Sequence, residues 1–135
     1  MLLKLFISSI LFSLTIHCQE TNADTYVVGS ENSDFDSIKK AVMEANAGDT
    51  IFISPGIYIE SNILIDKDLN ISGDDKHTTY LKASELSMSS IGRIFTIEEG
   101  ANVEITHITL ANGSSKNHGG AILNRGALIL DYVTI

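Results

Sequence analysis

The chain closes with GGAILNRGALILDYVTI, which runs from Gly119 to Ile135 and decides the fold class. Two glycines open this stretch, and apolar residues then alternate through it with the two-residue period of a β-strand. A shift of 25 residues places the stretch over an earlier segment with the same apolar positions. The coinciding pairs are Ile97 and Ile122, Val103 and Leu128, Ile105 and Leu130, Ile108 and Val133, Thr109 and Thr134, and Leu110 and Ile135.

The spacing inside this repeat predicts bent strands. Strict alternation would place every apolar residue two positions after the last. Both copies instead contain one step of three residues, which predicts a bend after Ile105 and after Leu130. DLNISG is a weaker earlier copy, and DDKHTTYLKASELSMSS, which follows it, is predicted to be a loop insertion. A repeat of about 20 to 29 residues with little helix is typical of stacked β-coils, whose equivalent apolar side chains form one continuous core.

Short strands are predicted along the rest of the chain, because apolar and β-branched runs alternate with Gly, Asn, Asp and Pro turns. Such strands alone allow a sandwich, a barrel or a solenoid, and the repeat favours the solenoid. The sequence therefore predicts an all-β, right-handed parallel β-helix of three to four coils. The predicted strands are Thr25–Val28, Ile51–Ile53, Asn62–Ile65, Leu69–Ser72, Arg93–Ile97, Asn102–Leu110 and Ala127–Ile135.

One helix is predicted ahead of these strands, in SDFDSIKKAVMEANAGDT. Ser33 or Asp34 is expected to cap its first backbone N–H groups, and Gly48 to end it. We expect residues Phe35 to Ala47 to cover the N-terminal end of the β-structure. The apolar stripe of this helix consists of Phe35, Ile38, Val42 and Ala45.

The first 23 residues are predicted to be a secretory signal peptide, and residues 24–135 the β-helix domain. Lys4 precedes the apolar run Leu5–Ile16, which is too short to span a bilayer, and a small-residue cleavage site follows near Ala23. A buried N-terminal element is the alternative. The single cysteine, Cys18, excludes a disulfide within the chain and leaves either cleavage or lipidation open.

Composition limits the partners. The 135 residues suffice for one domain, and the net charge of −8 argues against nucleic acid or an anionic membrane as a partner. The charge is compatible with a surface-exposed protein, and it identifies no ligand.

The segment DFDSIKKAVMEANAGDTIFISPGIYIE resembles the N-terminal cap and first coil of pectin lyase-like right-handed β-helix proteins. In those proteins a helix led by aspartate or serine precedes a strand and a proline-glycine-x-tyrosine turn, here Pro55, Gly56 and Tyr58, with Glu60 next. Gly119–Ile122 resembles the Gly-Gly-Ala-Ile repeat of polymorphic outer-membrane proteins and related adhesins, of which one full copy is present. The resemblance implies the fold, and this fold hosts lyases, hydrolases, esterases and non-catalytic surface proteins.

Acidic side chains flank the segment LNIS, at Asp66, Asp68, Asp74 and Asp75. Such carboxylates are able to hold calcium or to form an acid–base pair, but the EF-hand spacing is missing. Aspartate is also common in solvated turns, and this interpretation is favoured.

The histidines and arginines give no catalytic constellation either. His77, His107 and His118 lack metal-ligand spacing, and His107 is expected to point outward at a bend. Arg93 and Arg125 are candidates for binding an acidic sugar, with a surface role as the simpler interpretation. No residue is assigned as catalytic, cofactor-binding or metal-binding, and no cofactor is expected.

Two further motifs have simple interpretations. Asn70-Ile71-Ser72 and Asn112-Gly113-Ser114 match glycosylation acceptors, a pattern that is common by chance. Gly119-Gly120 is expected to form a tight corner.

The favoured function is a non-catalytic, secreted or cell-surface module, adhesin-like or structural, that contacts polysaccharide or host-surface molecules. The alternative is the N-terminal part of a polysaccharide lyase, hydrolase or esterase of the same fold. The sequence stops on the strand-like pattern at Ile135, so we expect truncation at the C-terminus and self-association through an uncovered last coil.

Overall fold

The computed structural model describes residues 22–84 and 92–135. The predicted signal peptide, apart from its last two residues, lies outside the described residues, as does Cys18. Within the described residues, no helix has the length and apolar character needed to cross a membrane.

The described part of the chain is mostly β-structure with one short helix. The helix α1 spans Ile38–Glu44 and lies between the first two strands. The strands are β1 (Thr25–Val28), β2 (Thr50–Ile53), β3 (Gly56–Ile59), β4 (Ile63–Ile65), β5 (Leu69–Gly73), β6 (Thr79–Lys82), β7 (Phe95–Ile97), β8 (Asn102–Thr106), β9 (Thr109–Ala111), β10 (Ile122–Asn124) and β11 (Ala127–Asp131).

These strands form three parallel sheets. The five-stranded sheet has the order β1-β2-β5-β8-β11, and the two three-stranded sheets have the orders β4-β7-β10 and β3-β6-β9. From β2 onward, each strand pairs with the strand three places further along the chain. Parallel strands of one sheet need a long connection, which here is supplied by strands of the other two sheets.

The core lies between the sheets and is built from side chains in register. Ile51, Ile71 and Ile105 are paired in neighbouring strands, and all three are fully buried. Ile63 and Phe95 form an equivalent buried pair in the β4-β7-β10 sheet. Burying one such side chain stabilises the fold by about 1.5–3 kcal/mol, so the stacked apolar rows supply the main driving force.

The pairing of the two C-terminal copies confirms most of the predicted alignment. Val103 pairs with Leu128, Ile105 with Leu130, and Thr109 bridges to Thr134. Ile97 is the exception, because it pairs with Asn124 rather than with Ile122. The turn between β10 and β11 is two residues shorter than the turn between β7 and β8, which absorbs this difference.

Bends follow β8 and β11, as predicted from the step of three. His107 and Tyr132 occupy these corners with φ angles of 55° and 51°. Their rings stack with centroids 5.2 Å apart. Gly73, the last residue of β5, lies at the equivalent position beside His107, where a Cβ atom would lie 2.3 Å from the backbone oxygen of His107.

The helix prediction was wrong at both ends. The cap is Ser37, whose Oγ accepts the Lys40 N–H at 3.3 Å, whereas the Asp34 carboxylate accepts the Val27 N–H at 2.7 Å. Phe35 bridges to β1 and therefore extends the sheet. The helix ends at Glu44, and Gly48, with φ of 93°, lies in the following turn.

Three strands were not predicted from the sequence: β3, β6 and the three-residue strand β10, which follows the Gly119-Gly120 corner. GIYI, interpreted as part of a proline-glycine turn, is β3, and TYLK, placed inside a loop insertion, is β6. The two pair with each other, and Tyr58 and Leu81 face inward at matching positions.

Candidate functional site

A shallow groove crosses the outward face of the five-stranded sheet over β5, β8 and β11. Its volume is about 210 Å³, which is below the ~300–1,000 Å³ of enclosed ligand pockets. The groove therefore suits a segment of a longer ligand lying across the sheet. Its lining consists of Asn70, Asn102, Val103, Glu104, Ala127 and Ile129.

The register of the sheet places the groove side chains in one row. Asn70 pairs with Glu104, and Glu104 pairs with Ile129. Neighbouring strands lie about 4.8 Å apart, so an amide, a carboxylate and an aliphatic side chain follow one another at that spacing. Strands β5 and β8 each pair on both sides, which holds this row rigidly.

Two polar groups of the groove are available to a ligand. Within residues 22–84 and 92–135, the side chains of Asn70 and Glu104 make no hydrogen bond or ion pair, and both residues are exposed. Asn102 differs, because its backbone N–H and its side-chain amide both donate to Asp68 Oδ1, at 2.7 and 2.9 Å. Both bonds lower the pKa of the Asp68 carboxyl below its usual value, and the bond from the Asn102 backbone N–H has the larger effect.

A second polar cluster is structural and holds α1. The Glu60 carboxylate accepts the backbone N–H groups of Ile38 and Lys39, both at 2.9 Å, and the Ser37 hydroxyl at 3.0 Å. At the other end, Lys67 Nζ donates to three carbonyl oxygens. The negative charge of Glu60 at the N-terminus of α1 and the positive charge of Lys67 at its C-terminus both interact favourably with the helix dipole. We call these two side chains the helix clamp. The accepting carbonyls belong to Val42, Met43 and Ala45.

The predicted sugar-binding arginines are engaged within the chain. Arg93 Nε donates to the carbonyl oxygen of Gly119 at 2.8 Å, and its Nη2 donates to Ser115 Oγ and to the carbonyl oxygen of His118. Arg93 thus braces the segment before β10. Arg125 Nη1 donates to both carboxylate oxygens of Glu98, at 3.0 and 3.1 Å.

The glycines at this braced segment form the tight corner that was predicted. A Cβ atom on Gly119 would lie 2.2 Å from the carbonyl oxygen of Ile122. On Gly120 it would lie 2.8 Å from the carbonyl oxygen of Gly113. Only a residue without a side chain fits such an approach.

The aspartates around LNIS are dispersed among turns. Asp75 Oδ1 accepts the His77 N–H at 2.7 Å, and the Asp74 N–H donates to Thr79 Oγ1 at 3.2 Å. Asp66 and Asp68 lie on either side of Lys67, ahead of β5. In the described ranges, no group of three or more His, Cys, Asp or Glu residues is placed to hold a metal ion.

The groove was not predicted as a site from the sequence. Asn70 was noted as the first residue of a glycosylation acceptor pattern and as part of a predicted strand, and Glu104 and Ile129 only as parts of predicted strands. The sequence does predict that each of these residues points outward from its strand. Their proximity can be seen only when the register of the three strands is known.

Comparisons with protein-family models, with curated proteins and with solved structures find no match to this chain.

Proposed function

We propose that residues 24–135 form the N-terminal cap and first coils of a right-handed parallel β-helix of the pectin lyase-like class. The parallel pairing of every third strand supports this proposal. We propose the right hand because connections between parallel strands of one sheet are right-handed in about 98% of cases. An experimental structure with left-handed connections or antiparallel hairpins would contradict it.

We further propose that the domain is a non-catalytic, exported module that contacts saccharides at the cell surface or outside the cell. The observation that carries this proposal is the row Asn70, Glu104 and Ile129, which offers unengaged polar groups beside an aliphatic surface on a rigid sheet. Amide and carboxylate groups hydrogen-bond to sugar hydroxyls, and aliphatic carbons pack against the C–H face of a sugar ring.

Binding to a panel of immobilised neutral, acidic and amino saccharides tests this proposal. We expect Asn70→Ala to weaken the binding about fivefold, since a lost hydrogen bond is worth about 1 kcal/mol. Asn117→Ala, at an exposed asparagine of the segment braced by Arg93, is the matched control. Absence of binding to every member of the panel overturns the proposal.

The enzymatic alternative is tested on the same protein by incubation with pectic and other polysaccharides. Bond cleavage by the purified chain, followed as new reducing ends or unsaturated products, would replace the non-catalytic proposal. Binding without cleavage supports it.

Export is proposed from the predicted signal peptide. We expect the exported protein to begin near Asp24, as read by N-terminal sequencing. An exported chain that begins at Met1 would contradict this part of the proposal.

We also propose that the chain self-associates through β11. This strand pairs with β8 on one side, and within the described residues no strand pairs with its other side. The backbone groups of such an edge form a template for another strand, and Leu130, within β11, is 41% exposed.

A further inference from the structure

We propose that the groove takes a saccharide bearing free amino groups, with Glu104 as the partner of an ammonium group. This inference rests on the proposed saccharide-contacting function and names its ligand class. Glu104 lies in the centre of the row, between Asn70 and Ile129.

The charge of the whole sheet favours a cationic ligand. None of the five strands of this sheet contains a lysine or an arginine, whereas Glu104 and Asp131 are exposed on it. Asp68, which is held against Asn102, adds a third carboxylate beside the groove. These three carboxylates attract an ammonium group placed in the groove, and no lysine or arginine on the five strands repels it.

The nearby cations are committed to contacts within the chain, so an acidic saccharide has no counter-charge in the groove. Arg125, which precedes β11, pairs with Glu98 at 3.0 Å. Lys67, which precedes β5, is held at the end of α1 by three carbonyl oxygens. Uronic acid groups would therefore face Glu104 without a partner, and like charges in contact oppose binding.

The groove fits a saccharide better than a basic peptide. Extended peptides gain affinity by pairing with a free strand edge. Asn70 and Glu104 lie on β5 and β8, which are paired on both sides, so a peptide strand added at the free edge of β11 would not cover them. The carboxamide of Asn70 instead offers a donor and an acceptor together, which suits the hydroxyl groups that flank an amino substituent. Ala127 and Ile129 supply apolar lining against which the C–H face of a sugar ring is able to pack.

The test compares ligands of equal length by isothermal titration calorimetry with the full purified chain. The probes are an oligomer of glucosamine, its fully N-acetylated counterpart and an oligomer of galacturonic acid. We expect the glucosamine oligomer to bind at least about fivefold more tightly than the N-acetylated one, and this preference to shrink at high salt.

Variants assign the preference to Glu104. Glu104→Gln keeps the size of the side chain, and we expect it to remove the preference for glucosamine, so that the glucosamine and N-acetylated oligomers bind with equal affinity. Glu99→Gln, at an exposed turn residue, is the matched control and should change neither affinity. Circular dichroism of each variant verifies the fold.

Four outcomes would overturn the inference, and a lysine-rich peptide is titrated as a fourth probe for one of them. Equal binding of the glucosamine and N-acetylated oligomers, or tighter binding of the galacturonic acid oligomer, removes the amino specificity and leaves the proposed saccharide function standing. Tighter binding of a lysine-rich peptide than of any oligomer would show that the groove binds a basic peptide and not an amino saccharide. Lack of binding to all saccharides overturns the proposed function as well.

Discussion

Glu60 caps a helix from which it is distant in sequence. Its carboxylate accepts two backbone N–H groups of α1 and the Ser37 hydroxyl, although it follows β3, more than 20 residues later. A carboxylate at a helix N-terminus is stabilised both by these hydrogen bonds and by the helix dipole. The contact therefore ties α1 to the first strands after it.

Replacing Glu60 tests this contact at the residue scale. Glu60→Gln retains one acceptor oxygen and loses the charge, so we expect the free energy of unfolding to fall by about 1–2 kcal/mol. Urea denaturation measures the change, and Glu31→Gln, at an exposed turn position, is the control. An equal effect of both substitutions would show that the capping bonds contribute nothing.

Asp68 gives the chain a pH-dependent contribution to stability. The N–H groups of Asn102 lower the pKa of this carboxyl in the folded state, so the folded protein prefers its ionised form. The contribution is fully present above the unfolded pKa of about 3.9 and is lost as the pH falls through the lower folded value.

We expect Asp68→Asn to flatten the loss of stability on acidification below about pH 4. Thermal unfolding of both proteins between neutral and acidic pH measures the difference. Asp66→Asn, two positions away, serves as the control, because Asp66 makes no hydrogen bond with other described residues. An identical pH profile for Asp68→Asn and the parent chain would contradict the assignment.

At the scale of the element, α1 depends on its surroundings. It has seven residues, and isolated helices shorter than about 12 residues are marginal in water. Its buried face, formed by Ile38, Ala41 and Val42, packs toward β1, β2 and β4. Both ends are then held by side chains from outside the helix.

Lys67→Met removes the C-terminal half of the helix clamp while keeping an unbranched apolar stem. We expect a loss of about 1–2 kcal/mol in the free energy of unfolding, since three carbonyl oxygens lose a charged donor. Lys39→Met is the matched control, because the Lys39 side chain is exposed. Chemical denaturation should place the control within about 0.5 kcal/mol of the parent chain.

The elements differ in how far the sequence predicts them. Strands β8 and β11 were predictable because alternation, the step of three and the 25-residue repeat all agree. Strands β3 and β6 were not, because four-residue strands are stabilised by pairing with each other across more than 20 residues. The groove could not be predicted for a similar reason, because Asn70 and Glu104 become neighbours only through the register of β5 and β8.

The cap of α1 illustrates a similar limit. Local rules point to Ser33 or Asp34 as the helix start, because both residue types satisfy free N–H groups. Asp34 instead accepts the Val27 N–H, and the remaining free N–H groups turn to Glu60. Competition between a local and a distant partner cannot be seen in a sequence window.

At the scale of the whole molecule, the two ends of the sheets differ. The helix α1 packs on β4, which is the outer strand of its sheet, and on β1 and β2. Large apolar side chains are exposed on and after β11. These side chains are those of Ile129, Leu130, Tyr132 and Ile135.

Substitution of Ile135 tests the proposed self-association. The Ile135 side chain is 69% exposed, and we expect Ile135→Lys to shift the chain toward monomer, because the added charge opposes burial in a contact between copies. Sedimentation velocity over a range of concentrations measures the shift. Met43→Lys is the control, since Met43 is 67% exposed on α1. A monomeric parent chain at every concentration would refute the proposal.

The helix clamp also implies an order in which the nascent chain folds. The segment that becomes α1 leaves the ribosome before Glu60 and Lys67, so neither end of the helix has its partner at first. Because seven residues nucleate poorly on their own, we expect α1 to form late, after β2, β3 and β4 have assembled. We therefore expect the segment that becomes α1 to remain unfolded until Lys67 has emerged.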